Sequence, residues 1–113
     1  MLTFFKNLFS REKNYEDLTP DEFKARMKQG AKEIVILDVR SQGEVAQGKI
    51  RGARNIDIMR PDFKEKVQPL PKDKTYLVYC RSGRRSAKAC NTMHSLGFDK
   101  VANLKGGYLA WDE

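Results

Sequence analysis

Residues 79–86 read YCRSGRRS: one cysteine, then three arginines, one glycine and two serines within six positions. Cys80 closes an apolar run, TYLV, and a helix-like segment follows the loop. A cysteine at the carboxyl end of a buried strand, just before a helix, sits where α/β proteins bind ligands. A tight loop turns its N–H groups inward as an anion-binding nest, and a helix N-terminus adds free N–H groups and partial positive charge. Both favour thiolate over thiol, so Cys80 is expected to ionise below the ordinary cysteine value of about 8.5 and to act as a nucleophile. Gly83 lets the chain turn where a Cβ would obstruct it. Ser86 is read as a cap for the next helix. Arg81, Ser82, Gly83, Arg84, Arg85 and Ser86 together make the expected anion cradle, the arginines offering forks of donors to an oxyanion. Adjacent side chains diverge, so one or two of these arginines are expected to face solvent.

The elements that position the loop are legible in outline. Thr19, Pro20 and Glu22 form a capping-box start, Leu18 and Phe23 a hydrophobic staple, and Gly30 a stop, predicting a helix over 20–29. EIVILDV (33–39) and TYLVYC (75–80) are continuous apolar runs that suit strands buried on both faces. Shorter strands are predicted at 53–57 and 100–104, with helices near 43–47, 61–67 and 85–96. Strands alternating with helices predict an α/β domain with a largely parallel sheet. Met1, Phe4, Phe5 and Leu8 follow a helical apolar stripe, and the polar stretch 10–17 reads as a linker. Packing on its own domain is the plainest role for that stripe. One lysine within it is thin support for membrane contact by residues 1–9.

Composition narrows the function. The chain has 113 residues, a size that suits one domain with its own core. Lysine and arginine number 22 against 15 acidic residues, giving a net charge of +7, most simply a soluble basic surface with some preference for anions. Aromatic and basic residues do not interleave as a stacking platform, so nucleic-acid binding is not expected. No apolar run approaches the ~20 residues of a membrane span. The opening residues make a poor secretory signal, so a cytoplasmic location is expected. Two cysteines in a reducing compartment point away from a structural disulfide and leave a thiol for chemistry. Cys90 has two readings, a resolving thiol for Cys80 or a core residue on the stripe Ala87, Cys90 and Met93; the stripe favours the core. His94 follows four residues later, but too few soft ligands are present for a closed zinc site, so no metal is expected.

The segments LDVRSQGEVAQGKIRGARNI (37–56), YCRSGRRS (79–86), LGF (96–98) and LKGGYLAW (104–111) stand in the order of the rhodanese family, and the chain resembles that family from about Leu18 to Trp111. Gly48-Lys49-Ile50 and Asp57 depart from its usual pattern at positions other than the nucleophile. The resemblance implies an α/β, rhodanese-like fold: a five-stranded, mainly parallel sheet with helices on both faces. Residues 1–17 are then an N-terminal extension and 18–113 the rhodanese-like domain. It implies Cys80 as the sulfur acceptor, the loop from Arg81 to Arg85 as its cradle, and Asp38, Arg40 and Glu44 as scaffold charges pairing under the site. It also implies a sulfurtransferase that needs no cofactor, taking sulfur from a small anionic donor such as thiosulfate or a persulfide. The acceptor is cyanide in vitro, or a thiol or partner protein's cysteine in cells. Related phosphatases and arsenate reductases resemble a Cys-x5-Arg pattern. Here Arg85 closes a Cys-x4-Arg loop one residue shorter, which suits a sulfur atom on Cys80 better than a phosphate. A non-catalytic docking module is the remaining alternative.

Overall fold

A computed structural model of the protein describes residues 14–111. The amphipathic stripe of residues 1–9 lies outside them. The chain runs β1 (Glu16–Leu18), α1 (Pro20–Met27), a short 3-10 helix (Ala31–Glu33), β2 (Ile34–Asp38), α2 (Gln42–Ala46), β3 (Arg54–Asn55), α3 (Phe63–Val67), β4 (Thr75–Tyr79), α4 (Arg84–Ser95), β5 (Val101–Leu104) and α5 (Gly107–Ala110). The strands form one five-stranded sheet in the order β1-β5-β4-β2-β3, and every pairing is parallel. The expected α/β architecture is therefore what the chain adopts. Among the described residues, no helix is long and apolar enough to cross a membrane.

Side-chain alternation along the strands builds two core layers. Leu37, Val39, Tyr76, Val78, Cys80 and Val101 pack with Phe63, Val67, Ala89, Cys90, Met93 and Phe98, which covers one face of the sheet with α3 and α4. Leu77, Tyr79, Ala102 and Leu104 pack with Leu18, Phe23 and Ile50 on the other face, beside Tyr108 and Trp111. Helices thus cover both faces, which is why β4 reads as an unbroken apolar run.

The capping box at Thr19 forms as expected: Thr19 Oγ1 accepts from Glu22 N at 3.2 Å and Glu22 Oε1 accepts from Thr19 N at 2.8 Å. Ser41 and Glu44 make a second one at the start of α2. Gly30 adopts the left-handed φ of 55° where α1 has ended. The linker reading of 10–17 is corrected at its end. Glu16, Asp17 and Leu18 pair in parallel with Ala102, Asn103 and Leu104, and this edge strand escapes a periodicity search because it is three residues long with only Leu18 buried. The strand predicted at 53–57 shrinks to Arg54–Asn55, the other sheet edge.

Asp38 and Arg40 end β2 as a buried ion pair, with Arg40 Nη2 at 2.7 Å from Asp38 Oδ2 and Nε at 3.0 Å from Oδ1. Arg40 Nη2 also donates to the Gly48 carbonyl at 2.7 Å, and the guanidinium lies 4.6 Å from the Tyr108 ring centroid. Asp38 is 0% and Arg40 3% exposed, so neither charge has water to fall back on. Removing one partner of such a pair costs about 3–5 kcal/mol. Asp38→Asn is expected to lower the unfolding free energy by an amount in that range, read as a lower urea midpoint with an unchanged denaturant slope.

Candidate active site

Strand β4 is central, so its carboxyl end opens between neighbouring strands, and there the chain leaves the sheet at Cys80. Gly83 takes φ 101°, a left-handed conformation, and starts α4 without any side-chain cap. The expected role of Ser86 as helix cap is therefore corrected. The glycine turn begins the helix at Arg84, so Ser86 falls inside the first turn and its hydroxyl points back under the loop. Cys80 Sγ lies 3.1 Å from Gly83 N and 3.3 Å from Ser86 Oγ. Cys80 and Ser86 are both 0% exposed, so a reacting group must enter the ring of donors over the sulfur.

Burial by itself would push the Cys80 thiol up. The Ser86 hydroxyl and the backbone N–H groups of Ser86, Gly83 and Ser82 more than offset it, and the thiol sits below its ordinary value. The nest is thus mostly backbone. Arg81 and Arg84 are exposed and Arg85 is half-buried. Arg85 is held in a two-pronged ion pair with Glu44, both contacts at 2.8 Å. The trio of scaffold charges consequently splits: Asp38 pairs with Arg40, while Glu44 reaches across to the loop's arginine. Beside the loop a shallow cleft is lined by Arg81, Glu44, Tyr108 and Leu109 among others.

The loop is clamped from behind by the chain after β5. Tyr108 N donates to the Cys80 carbonyl at 2.8 Å and Leu109 N to the Arg81 carbonyl at 3.0 Å. This approach needs Gly107, where a Cβ would come within 2.4 Å of the Arg81 carbonyl oxygen. Sequence reasoning missed Gly107 as a site residue, though the GG pair in LKGGYLAW was its signal. It also missed Asn103, a polar side chain in a strand whose residues are all buried, and Asp17 opposite it.

Cys90 lies in the core layer of α4 at 0% exposure, and burial pushes its thiol well up, which matches the core reading. Both cysteines are free thiols. His94 is half-buried on the last turn of α4. Among the described residues, no group of three or more His, Cys, Asp and Glu is placed to hold a metal ion.

Gly107→Ala is expected to cost about 2–3 kcal/mol, because a residue at φ 64° is strained and its Cβ meets backbone. The Cys80 loop should show faster amide exchange at Arg81 and Ser82. Arg85 beside Glu44 holds that carboxyl at about 2, below its ordinary 4.5. A depressed carboxylate stabilises the fold above its unfolded pKa and loses that contribution as pH falls toward the folded one. Between pH 5 and pH 2 the wild type should therefore lose on the order of 1–2 kcal/mol more than Glu44→Gln, read from urea midpoints across that range.

A model of the rhodanese-like domain matches residues 19–113. A sulfurtransferase of Allochromatium vinosum is 35% identical over 79 residues, covering 70% of this chain and 72% of its own. The Bacillus subtilis protein YtwF is 42% identical over 80 residues, covering 71% and 75%. The crystal structure of a rhodanese-like domain protein from Staphylococcus aureus superposes with a TM-score of 0.75 at 30% identity, covering 87% of this chain and 92% of that one. With the family's motifs on the strand ends and loop described above, the chain belongs to the rhodanese-like family.

Proposed function

We propose that this chain is a sulfurtransferase that carries a sulfane sulfur as a persulfide on Cys80. The observation that carries the reading is the position of Cys80 Sγ, beneath inward N–H groups and the Ser86 hydroxyl, which together hold its thiol below the ordinary value in spite of burial. Membership of a family that includes a protein named as a sulfurtransferase supports the reaction class.

In the first half-reaction the Cys80 thiolate attacks the outer sulfur of a donor such as thiosulfate. A sulfur–sulfur bond forms at Sγ as the donor's own sulfur–sulfur bond breaks, and sulfite leaves with the bonding electron pair. The negative charge then rests on the outer sulfur, within reach of the loop N–H groups that stabilise an anion. A persulfide is a reversible cap on cysteine. In the second half-reaction a nucleophile takes the outer sulfur and Cys80 leaves as thiolate. Cyanide serves as that nucleophile in vitro, and a thiol or a protein cysteine serves in cells. Two half-reactions sharing one enzyme-bound intermediate give ping-pong kinetics. Exposed Arg81 and Arg84 flank the loop and favour an anionic donor or the acidic rim of a partner protein. The loop, one residue shorter than that of the related phosphatases, weighs against a phosphate-ester substrate.

Reduced protein mixed with thiosulfate should gain one sulfur by intact-protein mass spectrometry, lose it to cyanide as thiocyanate, and gain none as Cys80→Ser. The loading rate should hold up below about pH 8.5, where an ordinary thiol would lose its thiolate. A folded wild type that gains no sulfur from thiosulfate or from a persulfide donor would overturn the reading and leave a docking module.

A further inference from the structure

Beneath the loop a polar chain runs on from the Ser86 hydroxyl to Asn103 and Asp17, two residues that the sulfur-transfer reading does not use. Strands β1 and β5 set Asp17 and Asn103 in register, so their side chains lie on one face of the sheet. Asn103 Nδ2 donates to Asp17 Oδ1 at 3.0 Å and to the Gly83 carbonyl at 3.3 Å. Asn103 Oδ1 lies 2.5 Å from Ser86 Oγ, and Ser86 Oγ lies 3.3 Å from Cys80 Sγ. Asn103 is 4% and Ser86 0% exposed, so the protons of this chain are decided by its own members and not by bulk water.

A carboxylate and a carbonyl oxygen only accept, so they hold the Asn103 amide NH2 toward themselves and leave Oδ1, another acceptor, facing Ser86. A serine hydroxyl carries one proton. Turned to Asn103, that proton leaves a lone pair facing Sγ, which suits an S–H donor and repels a thiolate. Turned to Sγ, it stabilises the thiolate and leaves two oxygens 2.5 Å apart with no proton between them.

We propose that Asn103, oriented by Asp17 and Gly83, is a positioning residue that sets the direction of the Ser86 hydroxyl proton and so restrains ionisation of Cys80. The inference rests on Cys80 as the reacting sulfur of the function proposed above. A thiolate that is stabilised less is the stronger nucleophile. Once the outer sulfur is bonded, Sγ is neutral and the charge sits on the terminal sulfur. The Ser86 proton then returns to Asn103, and the device favours the loaded state over the empty thiolate.

Other groups bear on Cys80 as well. Arg85 of α4 senses its charge and is itself paired with Glu44 of α2, with Asp57 adding to its field. Cys90 of α4 feels both Cys80 and Asp17, and burial keeps its thiol protonated. Asp38 and Arg40 at the end of β2 pair with each other. Asn103 itself bonds Asp17, the Gly83 carbonyl and Ser86, and not Arg85, Glu44, Cys90, Asp38 or Arg40.

The test is the pH dependence of alkylation of the reduced protein by iodoacetamide, with label counted on the Cys80 peptide. In Asn103→Ala the midpoint should move to lower pH, with the rate below the wild-type midpoint rising roughly threefold to tenfold, as expected for one released hydrogen bond. In a Ser86→Ala background the same substitution should leave the midpoint where it was. An unmoved or raised midpoint in the single variant, or an equal shift without Ser86, overturns the proposal. Asp17→Ala keeps the test decisive if the core variant does not fold, because Asp17 is half-buried on an edge strand. It removes one of the two acceptors that hold the amide, leaving the Gly83 carbonyl, and should lower the midpoint only when Ser86 is present. A shift independent of Ser86 would mean plain removal of charge and would equally overturn it. No sulfur donor enters the assay, so a protein that fails to load sulfur but shows the Ser86-dependent shift refutes the proposed function alone.

Discussion

Cys80 is buried at the end of a central strand, and its thiol is held below the ordinary value chiefly by backbone N–H groups and one hydroxyl, with the charge of Arg85 adding to them. That single constraint accounts for much of the surrounding sequence. Backbone donors converge only if the chain turns tightly, which requires Gly83 at φ 101°. They stay converged only if the loop carbonyls on the outside of the turn are held elsewhere. Tyr108 N and Leu109 N do this for Cys80 and Arg81, and the glycine at 107 exists to let them come close.

The ionic groups of the site serve placement. Asp38 and Arg40 satisfy each other in the core, with Tyr79 and Tyr108 rings against the guanidinium. Tyr79 ties this pair to the neighbouring segment by accepting from Ile50 N at 3.0 Å. Glu44 is fixed twice, by the cap it makes with Ser41 and by the fork of Arg85. Helix α2 is therefore docked on the first turn of α4, and the loop between β4 and α4 is pinned at its far end. With Arg85 so engaged, the exposed Arg81 and Arg84 are the loop's remaining cations for meeting an anion from solvent.

This division matters for chemistry. A fixed cation touching the sulfur would stabilise the thiolate strongly and blunt it as a nucleophile. Neutral dipoles give a smaller, directional stabilisation of charge at the loop. The Ser86 hydroxyl is the adjustable member of the set, because its one proton can turn toward Sγ or toward Asn103.

The sequence by itself determined the class of fold and pointed to one place for the chemistry. Two unbroken apolar runs announced strands covered on both faces, the Thr19 capping box and Gly30 marked the first helix, and the Cys-to-Arg loop pointed to a nucleophile in an anion nest. These signals are local: each rests on a period, a cap or a turn within about ten residues, which a linear reading can see. Only the tertiary structure decided which partners met. Glu44 pairs with Arg85, 41 residues away, and Asn103 bonds Asp17, 86 residues away. Glu16 and Asp17 of strand β1 read as linker because an edge strand of three residues, with only Leu18 buried, carries too little pattern to register. Its worth lies in pairing with β5, and pairing is a property of the folded sheet that no short window of residues contains.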